Sequence, residues 1–356
     1  MENNLNVLRQ EIDDINLSIL DLINKRTLLL QQIGKLKDEY SMEYFDTERE
    51  AKMLENIFNH NRGPLYNELV KDIFSSIFST SLKYMGITKE KKLLISSESQ
   101  EKFKTIREIF DLPDDSPIIV AGPCAVENIE YLEKTARFLR DRNMKFIRAG
   151  AYKPRTSPYD FQGMREDGLK ILHDVAREYQ LYTITEVVDT RDVELVSKYV
   201  DVLQIGARNM QNFELLKEAG RSTRPVLLKR GISATIQELM FAAEYVVVNG
   251  NRNVILCERG IRTIETKTRN TLDISAVPII KKETGLPIIV DLSHSLGRKD
   301  IVKSIAAAVL AAEADGIMVE VHPYPELALS DSKQQLNLEE FDELLSSINR
   351  NVSVLK

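Results

Sequence analysis

The chain has 356 residues, 43% of them hydrophobic and 29% charged, with a net charge of −6. At about 150 residues per domain this allows two domains with buried cores, which excludes wholesale disorder, and the acidic balance excludes a broad nucleic-acid footprint. Apolar runs such as 118–121 and 305–312 are far short of the ~20 residues a membrane span needs. Residues 1–10 carry no secretory signal, and two cysteines, Cys124 and Cys257, make no disulfide framework, so the expected location is the cytoplasm.

Residues 1–85 read as helices. Leu5, Leu8, Ile12, Ile15, Ile19 and Leu22, then Leu29, Ile33 and Leu36, follow a heptad seam that predicts a first helix over 4–38. Helical apolar spacing resumes at Met53, Leu54, Ile57 and Phe58. Gly63-Pro64 breaks it, and 65–84 reads as a third helix. Three helices, the first too long to bury its own seam, imply an all-α domain that dimerises; a plain dimerisation coiled coil is the blander alternative. Arg26 stands where the seam asks for Leu, and Lys37 follows about three turns later on nearly the same face. Asp46, Arg49 and Glu50 cluster at i, i+3 and i+4. Singly these are ordinary solvated charges. Together, cations at a packed seam describe a dicarboxylate pocket, because a buried cation needs a partner or an anionic ligand.

The runs LRQEID (8–13), LINKR (22–26), IGKLK (33–37) and FDTERE (45–50) resemble the all-helical chorismate mutases. The resemblance implies a dimer pocket for chorismate or prephenate, formed by Arg9 of a second protomer with Arg26, Lys37 and Arg49. Asp46 and Glu50 would help hold the substrate hydroxyl. The reaction is a unimolecular rearrangement, so positioning and electrostatics suffice. One departure stands out: Met85 aligns with a Gln that bonds the substrate ether oxygen in that family, and a thioether cannot donate. Losing such a donor costs ~10²–10³ in rate, so a weak mutase, or a non-catalytic regulatory module that only binds these ligands, is expected.

Residues 86–116 read as a linker, with charged or polar stretches at 89–92 and 96–104, some helix over 103–110, and turn chemistry from Pro113 to Pro117. From 117 to 356, apolar runs alternate with helical patterns. The runs at 118–120, 146–148, 182–185, 202–205, 226–228, 254–256, 288–290 and 317–319 are eight candidate strands. Each gap leaves room for a crossover helix, which predicts an α/β fold, a (β/α)8 TIM barrel. An open doubly wound sheet is the alternative, disfavoured because no G-x-G-x-x-G follows a strand.

Chemistry gathers where barrel strands end. Residues 142–165 hold six cations against Asp160, and basic residues leave the second, fourth, fifth and sixth strands together, which describes a site for more than one phosphate or carboxylate. Cys124, His294, Glu320 and Asp331 are candidate metal ligands that only barrel closure brings together. The blander readings are a buried small residue for Cys124 and a satisfied core imidazole for His294. One soft, one borderline and two hard donors suit Mn²⁺, Fe²⁺, Co²⁺ or Zn²⁺. Cys257 reads as inert, His60 as loop and His173 as helix surface. His322 shares a strand face with Glu320, and the acidic run 339–342 reads as a solvated helix face.

GPCAVE, KPRTSPYDFQG, IGARNMQNFELLKEAG, LLKRG, CERGIRT, TRNTLDISAVP and ALSD, in that order, resemble the type I 3-deoxy-D-arabino-heptulosonate 7-phosphate (DAHP) synthases, which open the shikimate pathway. With the helical segment ahead of it, the chain is similar to the bifunctional mutase–synthase fusions. The resemblance implies a divalent metal, Mn²⁺ first, on Cys124, His294, Glu320 and Asp331, and phosphoenolpyruvate on Arg148, Lys153, Ala207, Arg208, Lys229 and Arg262. It implies erythrose 4-phosphate on Arg155 and Thr156, and a catalytic set of Lys153, Cys124 and His294, with Lys153 the proton donor to the new alkoxide. It also implies feedback inhibition by chorismate or prephenate and a tetramer built from mutase-domain dimers, with no nucleic-acid or membrane partner. The 3-deoxy-octulosonate 8-phosphate synthases are the second enzyme reading, disfavoured by KPRT where they usually carry KANR.

Overall fold

The heptad seam folds as a single helix, α1 (Glu2–Glu39), followed by α2 (Thr47–His60) and α3 (Asn67–Tyr84). The computed structural model describes residues 2–39, 47–84, 93–113, 117–155 and 157–355. It divides into two units, Met1–Lys91 and Lys92–Lys356. In the helical unit all nine seam residues are 39–64% exposed, so the stripe that the heptad pattern marks is not buried within its own chain. His60 ends α2 rather than lying in a loop, its Nδ1 2.8 Å from the Asn56 carbonyl one turn back. No described helix is long and apolar enough to cross a membrane.

In the second unit, β1 (Ile118–Gly122), β2 (Phe146–Arg148), β3 (Tyr182–Val187), β4 (Val202–Ile205), β5 (Val226–Lys229), β6 (Val254–Glu258), β7 (Ile288–Asp291) and β8 (Gly316–Glu320) close a parallel barrel in sequence order. Every strand gives at least one side chain to an inner cluster: Ile118 and Val120, Phe146, Ile184, Val202, Leu227, Ile255, Ile289 and Met318. Helices between the strands cover the outside and bury the larger core cluster. Cys257, an inert strand residue in the sequence reading, joins the inner layer, and burial pushes its thiol up to about 12. The acidic run at 339–342 opens the C-terminal helix (Leu338–Leu355) and is ion-paired rather than merely solvated. Glu340 meets Lys299 at 2.8 Å and Asp342 meets Arg142 at 2.5 Å, partners that come from distant segments.

Residues 93–113, expected as part of the linker, are stitched onto the barrel. The Leu94 and Ile95 N–H groups donate to Glu244 at 2.8 and 3.2 Å, and Ile95 is fully buried. A short helix, Ile106–Phe110, begins at a Thr105–Glu108 capping box and closes the floor of the barrel. Phe110 packs edge-on to Phe146 at 4.9 Å and against Tyr182 at 4.8 Å, and the Tyr182 hydroxyl donates to the Phe110 carbonyl.

Candidate active site

Strand register assembles the upper end of the barrel. Gly122 pairs with Glu320 across the β1–β8 closure, which sets Cys124, two residues beyond β1, beside the end of β8. Gly122 has φ +144°, and a Cβ there would lie 2.2 Å from the Arg148 carbonyl, so only glycine lets β1 approach β2 this closely. At Gly206, after β4, a Cβ would meet the Glu186 carboxylate, Oε1 at 2.0 Å, and displace that side chain.

The four candidate ligands converge. Donor atoms of Cys124, Glu320 and Asp331 all lie within 4.8 Å of one another. His294 Nε2 lies 3.6 Å from Glu320 Oε1 and 3.7 Å from Asp331 Oδ2. Burial holds the His294 imidazole below its usual range against the pull of Asp291 and Glu320, so the ring is neutral near pH 7 with a free lone pair, as ligation requires. A sulfur, a neutral imidazole and two carboxylates, mostly buried, fit a borderline divalent ion. Burial and the charge of Glu320 raise the Cys124 thiol to about 11, against the opposing effect of Lys153 and Arg148. Burial disfavours the Glu320 carboxylate, but His294, Arg148 and Lys153 together hold it at about 2.

Three of the candidate ligands also touch a cation. Arg148 donates to Glu320 at 2.8 Å, Lys153 Nζ lies 3.0 Å from Cys124 Sγ, and Arg269 lies 3.3 Å from Asp331. Arg155 donates to the Ser330 hydroxyl at 2.7 Å, which in turn sits 3.1 Å from Cys124 Sγ. Lys153 remains an ammonium: burial disfavours its charge, but Cys124 and Glu320 raise it above the usual lysine range.

Arg148, Lys153, Arg155, Ala207, Arg208, Lys229 and Arg262, all expected from the strand ends, line one cavity of about 480 Å³ with His294 and Asp331. Thr156 lies outside the described residues. The sequence reading missed Glu186 and Arg269, which line the same cavity, and gave no role to Arg259 at the end of β6 or to Asp291 at the end of β7. Asp291 Oδ1 accepts from the His294 N–H at 2.9 Å, while Oδ2 lies 2.8 Å from His294 Nδ1, off the line of the ring N–H, and bonds Lys229. One carboxylate therefore orients a candidate ligand histidine and a cavity-lining cation together. His322 is buried against Tyr131 and accepts from the Tyr324 N–H; its Nε2 lies 3.9 Å from Glu127.

In the helical unit Arg26 turns out of the seam toward α3, donating to Ser81 Oγ at 2.8 Å and lying over the Phe78 ring. Arg9 is exposed on the same helix, 17 residues before it, or about 25 Å along the axis. Lys37 is half-buried and Arg49 exposed. Asp46 and Met85 lie outside the described residues, as does the side chain of Glu50.

A closed (β/α)8 barrel with a cation-lined mouth and a sulfur–imidazole–carboxylate set is an enzyme built for phosphorylated anions. Residues 92–355 match the DAHP synthetase I family and residues 8–86 match chorismate mutase type II. A phospho-2-dehydro-3-deoxyheptonate aldolase of Thermotoga maritima is 56% identical over 232 residues, 65% of this chain and 69% of that protein. A 2-dehydro-3-deoxyphosphooctonate aldolase of Acidithiobacillus ferrooxidans is 29% identical over 64% of this chain and 86% of its own length. The crystal structure of the Thermotoga maritima DAHP synthase superposes with a TM-score of 0.71 at 50% identity, covering 75% of this chain and 78% of that one. The chain belongs to the DAHP synthetase I family, which generally uses a divalent metal, and carries an N-terminal chorismate mutase domain.

Proposed function

We propose that the barrel condenses phosphoenolpyruvate with erythrose 4-phosphate and water to DAHP and phosphate, the first step of the shikimate pathway. The observation that carries this reading is one cavity lined both by candidate metal ligands and by cations from four strand ends. Cys124, His294, Glu320 and Asp331 would hold the metal, Mn²⁺ first, with Fe²⁺, Co²⁺ or Zn²⁺ as alternatives. When bound, it supplies Lewis acidity toward the aldehyde oxygen. Arg148, Lys229, Arg208, Arg262 and the Ala207 amide hold phosphoenolpyruvate, while Arg155 and Thr156 take the phosphate of erythrose 4-phosphate. Holding both anions at attack distance against their repulsion is the main catalytic task of these residues. Carbon three of phosphoenolpyruvate bonds to the aldehyde carbon, and Lys153 gives a proton to the former aldehyde oxygen.

Water must then add at carbon two as phosphate leaves, and its proton needs a base. The carboxylates lining the cavity, among the described residues, are Asp160, Glu186 and Asp331. Asp331 is a ligand and Asp160 pairs with Arg155 at 3.5 Å. Among the described residues Glu186 accepts one long hydrogen bond, from Gln204 Nε2 at 3.5 Å, and is assigned as the base. Glu186→Gln is expected to lower kcat about 10²-fold with the KM for phosphoenolpyruvate within a fewfold of wild type. Unchanged kcat would remove Glu186 from this role.

The helical domain is assigned as a dimer that binds chorismate or prephenate and restrains the barrel through that ligand, in a cytoplasmic tetramer. The exposed seam supports pairing, and the ~25 Å between Arg9 and Arg26 supports a pocket completed by Arg9 of a second protomer. Linkage requires the ligand to favour a less active state. In the full-length chain, Met85→Gln is expected to raise chorismate consumption about 10²-fold. No rise would mean that Met85 is not the defect and would favour the non-catalytic module.

The decisive assay follows loss of phosphoenolpyruvate by the metal-reconstituted protein with erythrose 4-phosphate, with and without prephenate or chorismate. Turnover suppressed by either effector supports both assignments, and turnover without suppression removes the regulatory one. Activity with arabinose 5-phosphate in place of erythrose 4-phosphate would overturn the substrate.

A further inference from the structure

The segment that carries Asp331 is an excursion from the end of β8. It returns to the barrel where Val321 bridges Leu336, and the Leu336 N–H donates to the Glu320 carbonyl at 2.9 Å. Asp331 has φ +50°, a conformation a non-glycine residue keeps only where its surroundings hold it. Two buried side chains do the holding. Gln335, fully buried, accepts from the Cys124 N–H at 3.0 Å through Oε1 and donates to the Ser330 carbonyl at 2.8 Å through Nε2. Glu127, its side chain 5% exposed, accepts from the Leu329 N–H at 3.0 Å through Oε2.

We propose that Gln335, seconded by Glu127, is a positioning residue that fixes the spacing of Cys124 and Asp331 and thereby the affinity of the metal site. The inference rests on the ligand set assigned above. A primary amide is suited to the task because it accepts at one end and donates at the other, so a single rigid group spans an N–H from the β1 end and a carbonyl beside Asp331. Without it, both backbone groups would be buried unpaired and the two ligand-bearing segments could separate. Nothing else described joins Cys124 to the 329–331 segment through backbone groups. The remaining contacts of Cys124 Sγ there, with Ser330 Oγ at 3.1 Å and Asp331 Oδ2 at 3.5 Å, run from side chain to side chain and leave the backbone of the two segments unjoined.

The test is a Co²⁺ titration of the full-length chain, followed by the thiolate-to-cobalt absorption that reports ligation by Cys124. Gln335→Met is expected to weaken Co²⁺ binding about 10- to 100-fold, the range for support of a metal ligand. Glu127→Leu releases the other hold without touching Cys124; it is expected to act in the same direction and serves if Gln335→Met does not fold. Asn251→Leu is the control for a purely structural effect. Asn251 is a buried amide that donates to the carbonyls of Ala219, Ser222 and Arg224, away from the site, so its loss should lower the melting temperature and leave Co²⁺ affinity unchanged. Affinity within twofold of wild type in both Gln335→Met and Glu127→Leu overturns the positioning role. A wild type with no thiolate band overturns the ligand set itself, and the positioning role with it.

Discussion

Cys124→Ala is expected to lower synthase kcat at least about 10³-fold at saturating metal while the barrel stays folded. Loss of a group that merely supports a ligand costs 10–100-fold, and Cys124 is assigned as a ligand itself, the only soft one in the set. The substitution also frees Lys153, whose ammonium lies 3.0 Å from Sγ and whose elevated proton affinity depends on Cys124 and Glu320. The stability cost is small by comparison, because alanine removes one buried atom and opens no large cavity. Steady-state kinetics beside a thermal melt decide the matter. An active Cys124→Ala enzyme, within tenfold of wild type, would remove the thiol from the chemistry.

Arg148→Ala is expected to destabilise the barrel by about 3–5 kcal/mol, the cost of leaving a buried charge without its partner. The side chains of Arg148 and Glu320 are 5% and 0% exposed, and the guanidinium also reaches the carbonyls of Pro123 and Cys124 at 3.3 Å. Arg148 is one of the charges that keep Glu320 ionised against burial, so the variant strands a carboxylate inside the barrel. Urea unfolding in the presence of a chelator measures the loss. Adding Glu320→Gln to the Arg148→Ala background should recover part of the stability and none of the activity, which separates charge burial from substrate binding. A loss under about 1 kcal/mol would mean that Gln334, which donates to Glu320 Oε2 at 2.5 Å, suffices to hold that carboxylate.

The eight strands were legible because each is an apolar run bounded by turn chemistry, and the inner layer they form requires no knowledge of partners. The cations at the strand ends were legible for the same reason, since strand direction alone aims them at one mouth. Glu186 escaped because the apolar run of β3 stops at Thr185, whereas the strand continues to Val187 and carries Glu186 to the rim. Asp291 was in view next to His294, but its double role depends on Lys229 from another strand. Gln335 had no signal at all: a glutamine in a polar loop becomes a bridge only when closure brings Cys124 to it across 211 positions. The floor helix was half legible. Its helical spacing was visible over 103–110, but its few apolar residues fill a hole made by β2 and β3, which no local pattern describes.

That floor fixes how the barrel meets its reactants. With Ile106 and Phe110 sealing one end, the inner layer has a single open side, and everything that enters or leaves passes the same rim. Arg148 and Lys229 lie deep, each 4% exposed, whereas Arg155 stands further out on the loop after β2. Under the proposed assignment the two substrates are therefore queued. Phosphoenolpyruvate must be seated before erythrose 4-phosphate arrives, and a sugar phosphate that enters first blocks the way in. Compulsory order, with inhibition by excess of the second substrate, is thus a property of a blind-ended barrel.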